Sequence, residues 1–144
     1  MSTTIIEEEL SYQIMNAAFA VQNELGPGFL ESIYEAAMVL ELEARGHRVE
    51  TQIRVPVHYR EQKIGEHILD ILVDSKVILE LKAISEITAI HQQQALSYLK
   101  ATGLRLAIVI NFGSPKVQYE RVVNTSIKNS RNSSIRAIRV KNER

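Results

Sequence analysis

The sequence predicts an α/β fold, a mixed central β-sheet flanked by helices, with elements in the order α-α-β-β-β-α-β-β. Three observations lead there. Apolar residues recur at three- and four-residue intervals in some stretches and alternate in others, the periodicities of helix and strand. Glycine and proline punctuate the changes from one to the other. A helical stretch between two apolar strands implies a right-handed crossover, which leaves those strands parallel.

Residues 6–25 form the first expected helix, with Ile6, Leu10, Ile14, Ala17, Ala18, Val21 and Leu25 on one stripe. Gly26, Pro27 and Gly28 end it, because proline lacks the amide that would continue the ladder and glycine relaxes the backbone. A second helix is expected from about Phe29 to Arg45, with Leu30, Ile33, Tyr34, Ala37 and Met38 on its stripe and Gly46 just past its end. Val49, Thr51, Ile53, Val55 and Val57 then alternate with polar residues, which reads as a strand with one wet face. Pro56 places it at or near a sheet edge. After a turn at 60–65 come strands at 64–73 and 77–83, joined around Asp74 and Ser75. A helix over 86–102 stops at Gly103. Residues 104–111 make the most apolar strand and the expected sheet centre, and 116–123 the last strand.

Composition narrows the class. The 144 residues, 45% apolar, suit one globular domain and exclude disordered and fibrous chains. With no cysteine there is no disulfide framework, thiolate metal site or cysteine nucleophile. The apolar run at 106–112 is too short to span a bilayer, and acids stand near the start where a signal peptide would carry positive charge. The expectation is a cytoplasmic protein with no membrane partner. Zero net charge hides an asymmetry: residues 1–124 hold 11 basic and 16 acidic groups, or −5, while 125–144 hold six basic groups against Glu143, or +5. A domain at 1–124 followed by a basic, flexible tail at 125–144 is the expected division. A solvated tail is the ordinary reading and a phosphate-touching arm the other. The acidic body argues against strong non-specific nucleic-acid binding.

The chemistry-bearing cluster lies in HILDILVDSKVILELKA, residues 67–83. Strand alternation sets Ile78, Glu80 and Lys82 on one face, and charges inside a sheet are costly unless used or paired. If Val73 faces Val77, the positions sum to 150 and Asp70 stands opposite Glu80. Two carboxylates so placed repel unless a proton or cation lies between them, and magnesium accepts one or two carboxylates with waters retained. Two readings stay open on pattern alone, a metal site and a salt-bridged sheet face. Glu31 can be a helix-start acid, Tyr34 core, and Gln94 and Tyr98 packing residues. His91 reads as a surface histidine, and His47, His58 and His67 lack zinc-ligand spacing.

Asp70, nine residues, then Glu80-Leu81-Lys82 on a strand hairpin followed by a helix resembles the PD-(D/E)xK nuclease superfamily. More narrowly, GFLESIYE at 28–35 resembles the GxxExxY protein family through Gly28, Glu31 and Tyr34, with VILELKA at 77–83 and HQQQALSYLKATGLRLAIVINFG at 91–113 in support. Leu69 stands where the superfamily's name has proline. The resemblance covers residues 6–124 and implies a restriction-endonuclease-like core that hydrolyses phosphodiester bonds with Mg²⁺ or Mn²⁺. It implies Asp70 and Glu80 as metal ligands, with Glu31 as an added ligand or outer partner. Lys82 would orient the water, Gln94 and Tyr98 would project toward the site, and Tyr34 would support it. Nucleic acid, DNA or RNA, is the implied partner, and a homodimer one way to supply phosphate contacts. The alternative is a catalytically inactive nuclease-like module that binds nucleic acid or protein.

Overall fold

The computed structural model describes residues 5–125, so the expected tail lies, Thr125 apart, outside the described residues. The elements are α1 (Glu8–Leu25), α2 (Glu31–Ala44), β1 (Val49–Tyr59), β2 (Gln62–Val73), β3 (Val77–Lys82), α3 (Ala89–Thr102), β4 (Leu106–Asn111) and β5 (Gln118–Val123). The order is the expected one. Among the described residues no helix is long and apolar enough to cross a membrane.

The five strands lie in the order β1-β2-β3-β4-β5, all neighbours antiparallel except β3 and β4, which run parallel as the crossover through α3 requires. β1 is an edge strand, as Pro56 indicated. The middle of the sheet is β3, not the more apolar β4. Both strands are apolar because both are covered on two faces, so apolarity alone does not rank them.

Two cores sandwich the sheet. On one face α1 and α2 pack Leu10, Ile14, Ala17, Ala18, Val21, Tyr34, Met38 and Leu42 against Ile71, Val73, Val77, Leu79, Leu81, Ile108 and Ile110. On the other, Ala95, Tyr98 and Leu99 of α3 pack against Ile53, Val55, Leu69, Leu72, Ile78, Ala107 and Val109. The α1 stripe is as read from the sequence. The α2 stripe is shifted: Tyr34, Met38 and Leu42 are fully buried, whereas Leu30 (74%) and Ile33 (43%) are exposed. Helix α2 begins only at Glu31, which leaves Leu30 outside its first turn.

The β1 alternation also departs from expectation. Val49 packs with the α1–α2 core, but Ile53 and Val55 pack with α3. The strand changes face at Gln52, whose φ is +52°. Opposite it, Leu69 and Ile71 likewise belong to different cores, and the β1–β2 ladder pairs Thr51 with Ile71 and Ile53 with Leu69 but skips Gln52 and Asp70. Each strand skips one residue here and the register is kept on both sides, so the break re-aims side chains without adding a residue to either strand; the shift of register in this ladder comes later, between Val57 and His58.

Candidate functional site

The site grows from that irregularity. Asp74 and Ser75, both at positive φ, turn β2 into β3 and set the register Val73–Val77, Leu72–Ile78, Ile71–Leu79, the predicted sum of 150. The pairing ends there. Beyond it β3 continues beside β4 alone, with Glu80 against Val109 and Lys82 against Asn111. Asp70 therefore does not close a backbone pair with Glu80 as the register suggested. Instead its Oδ2 accepts a hydrogen bond from the Leu81 amide at 3.0 Å, a side chain taking the place of a strand partner.

Glu80 is 5% exposed. Its Oε2 accepts a hydrogen bond from Tyr98 Oη at 3.3 Å and lies 3.8 Å from Lys82 Nζ. Its Oε1 is buried without a hydrogen-bond partner among the described residues. Burial, reinforced by the charge of Asp70, pushes the Glu80 carboxyl up to about 8, although Lys82 and the Tyr98 hydroxyl pull the other way. Burial also raises Asp70 above the ordinary carboxylate range; the Leu81 amide opposes this, and the carboxylates of Glu35 and Glu31 add to it. The same burial, with Glu80 beside it, raises the Tyr98 phenol. Asp70, Glu80 and Lys82 are thus together and shielded from water, not spread over an open sheet face.

The other expected residues divide. Tyr98 belongs to the site through its bond to Glu80. Gln94, one turn earlier on α3, is exposed, and its carbonyl accepts from Ser97 Oγ at 2.6 Å. Glu31 is exposed at the first position of α2 and acts on Asp70 and Glu80 through its charge. Tyr34 lies elsewhere. It is fully buried, stacked on Phe112 at 4.6 Å and 4°, and its hydroxyl donates to the Gly26 carbonyl at 2.5 Å while accepting from the Phe29 amide at 3.2 Å. That pins the Gly26–Phe29 turn and so fixes where α2, with Glu31, begins.

Several residues escaped sequence reasoning. Glu35 accepts two hydrogen bonds from Gln52 Nε2, at 3.0 and 3.2 Å, and adds a third acid near Asp70; its four-residue spacing from Glu31 was the available signal. Asn111, fully buried at the end of β4, accepts from Ile84 N and donates to Ile84 O, both at 3.0 Å, which docks the segment that leaves Lys82. His67 stands edge-on to Tyr98, with ring centres 4.6 Å apart.

The donor set fits a hard divalent cation. Asp70 and Glu80 supply two carboxylates, and the unpartnered Glu80 Oε1 is an acceptor that a cation would satisfy. Among the described residues no three His, Asp or Glu side chains are gathered about one point, so an ion held here would keep several waters, as magnesium does.

No curated protein matches the chain. A family model of the PD-(D/E)XK nuclease superfamily matches residues 8–122, which include every element from α1 to β4 and nearly all of β5. The mixed five-stranded sheet between α1–α2 and α3 is in keeping with a restriction-endonuclease-like fold. By that match the chain belongs to the PD-(D/E)XK nuclease superfamily.

Proposed function

We propose that this protein is a metal-dependent nuclease that hydrolyses phosphodiester bonds of nucleic acid, and that within its superfamily it stands with the GxxExxY proteins through Gly28, Glu31 and Tyr34. The observation that carries the reading is Glu80: a buried carboxyl with one unpartnered oxygen, beside a second carboxyl and a lysine. PD-(D/E)XK nucleases generally use divalent metals. Asp70 and Glu80 would hold Mg²⁺ or Mn²⁺, and Glu31 would attract the ion and its waters from the solvent side. When bound, the ion neutralises the paired carboxylates and polarises a phosphoryl oxygen. Lys82 orients the attacking water by hydrogen bonding and offsets charge that develops on the phosphate. Tyr98 holds Glu80 in one rotamer, and Gln94, exposed one turn away, hydrogen-bonds the substrate.

Calorimetric titration of Mn²⁺ or Mg²⁺, paired with cleavage of mixed DNA and RNA, tests this. Wild type binds metal and cuts; Asp70→Ala with Glu80→Ala does neither. Lys82→Ala binds metal but cuts about 10²-fold or more slowly, the scale of a lost donor that stabilises developing charge. Cleavage that survives in the double variant would overturn the assignment, and metal binding without cleavage by wild type would leave an inactive binding module.

A further inference from the structure

A cavity of about 420 Å³ lies between α3 and the paired strands β1 and β2, walled by Pro56, His58, His67, Ser97 and Lys100. In a body where acids outnumber bases by 16 to 11 over residues 1–124, no lining residue of this cavity is acidic. Lys100 makes no ion pair among the described residues, and the His58 ring has no hydrogen-bond partner there. His67 is fixed in place. The single hydroxyl hydrogen of Ser97 goes to the Gln94 carbonyl at 2.6 Å, so toward His67 Nε2, 3.3 Å away, Ser97 Oγ accepts and the imidazole donates. The same imidazole stands against Tyr98, whose hydroxyl reaches Glu80. The cavity is therefore linked to the carboxylate site through two touching rings, His67 in its wall and Tyr98 beyond it.

We propose that this cavity seats a phosphate of the nucleic-acid backbone other than the one cleaved, held by Lys100 and His58, an inference that rests on the nuclease reading above. A strand in B-form duplex carries a charge about every 3.4 Å of axis, so one bound at Glu80 presents further phosphates to the surface on either side of the cleaved one. An unpaired lysine in an acid-free hollow is where an otherwise acidic surface can accept one. The volume is many times the roughly 30 Å³ of a water molecule, which leaves room for a phosphate with part of its hydration. Pro56 and Ala101 give the sugar an apolar wall. Such a contact fixes the register of the strand on the enzyme without reading its sequence.

The test compares Lys100→Gln with Lys76→Gln, an equal loss of charge at the β2–β3 turn, about 20 Å along β2 from His67 at the usual rise per residue. Fluorescence anisotropy of labelled single- and double-stranded DNA and RNA, without divalent metal so that nothing is cut, gives Kd from about 50 to 200 mM salt. For Lys100→Gln, Kd rises about fivefold or more and the slope of log Kd against log salt falls by about one; with metal, the loss sits in KM rather than kcat. Lys76→Gln shows neither change, and His58→Ala adds to Lys100→Gln. An unchanged slope in Lys100→Gln, or an equal loss in Lys76→Gln, would overturn the proposal while wild-type cleavage left the nuclease reading intact. A wild type that neither binds nor cuts any of these substrates would remove the nuclease reading, and the subsite with it.

Discussion

Glu80→Gln makes the metal-free protein more stable, and by an amount that grows with pH. Glutamine has nearly the shape of the protonated acid, so it keeps an acceptor for Tyr98 and removes the charge that the site cannot solvate. The magnitude follows from the carboxyl's displacement from 4.5 to about 8, roughly 5 kcal/mol at about 1.4 kcal/mol per tenfold change in proton affinity. The sign is set by where the proton sits. Between these values the folded chain binds a proton that the unfolded chain has released, so the Glu80 contribution to wild-type stability is full below about pH 4.5, falls as pH rises toward 8, and levels off above it. The variant lacks this decline: it exceeds wild type by about 1 kcal/mol or less near pH 5, by roughly 3 kcal/mol at pH 7 and by most of the 5 above pH 8. Asp74, which burial alone would raise but which His47 and the Arg48 amide bring below its ordinary value, works the opposite way in strong acid, outside this window. Urea unfolding of both proteins in chelator at pH 5, 7 and 8.5 is the assay. Parallel stability curves, or a variant less stable than wild type at pH 8.5, would refute the claim that Glu80 is held in an environment hostile to its charge.

Two further substitutions probe the supports of the site. Tyr98→Phe keeps the ring against His67 but removes the hydrogen bond to Glu80, so Glu80 rises further, metal affinity drops about tenfold, and the acid limb of the pH–rate profile moves to higher pH; Mn²⁺ titration and the profile itself check this, and an unmoved limb counts against the tyrosine's role. Gly113→Ala drives a Cβ to 2.7 Å from the Ala83 carbonyl carbon and closer still to the Ile84 backbone, costing about 3 kcal/mol or more and displacing the segment after Lys82, whereas Gly65→Ala, with nothing within 4 Å, is nearly neutral; thermal unfolding distinguishes them.

What could be read in advance follows from which residues carry local signals. The parallel β3–β4 pairing was legible because a helix-length crossover admits little else, and the 150 register because Asp74 and Ser75 leave room for only a tight turn. Gln52 was not legible. Glutamine at positive φ has none of the bias that glycine, asparagine or aspartate would show, so the alternation through Val49, Ile53 and Val55 looked unbroken. The same break sent Asp70 to the Leu81 amide. Tyr34 sits on an apolar stripe, where the sequence does not distinguish a core ring with a useful hydroxyl from a site residue, and its bonds to Gly26 and Phe29 decide it. His58 and His67, dismissed for lack of metal-ligand spacing, line one cavity because the β1–β2 hairpin folds them together, a neighbourhood that linear spacing does not encode.

The change of face at Gln52 and Asp70 also gives the protein an uneven tolerance to damage. Residues on either side of the break answer to different packing layers, Val49 and Ile71 on one flank, Ile53 and Leu69 on the other, and the Asp70 carboxylate is aligned only while both layers keep their relation. A substitution that loosens either layer, even one distant from Glu80 and too mild to unfold the chain, shifts one flank against the other and turns that carboxylate away from the Leu81 amide. Heat does the same as soon as one layer softens before the other. The geometry of the Asp70–Glu80 pair is then lost ahead of secondary structure, so that the activity proposed for it would record strain between the layers before any spectrum of the backbone changes.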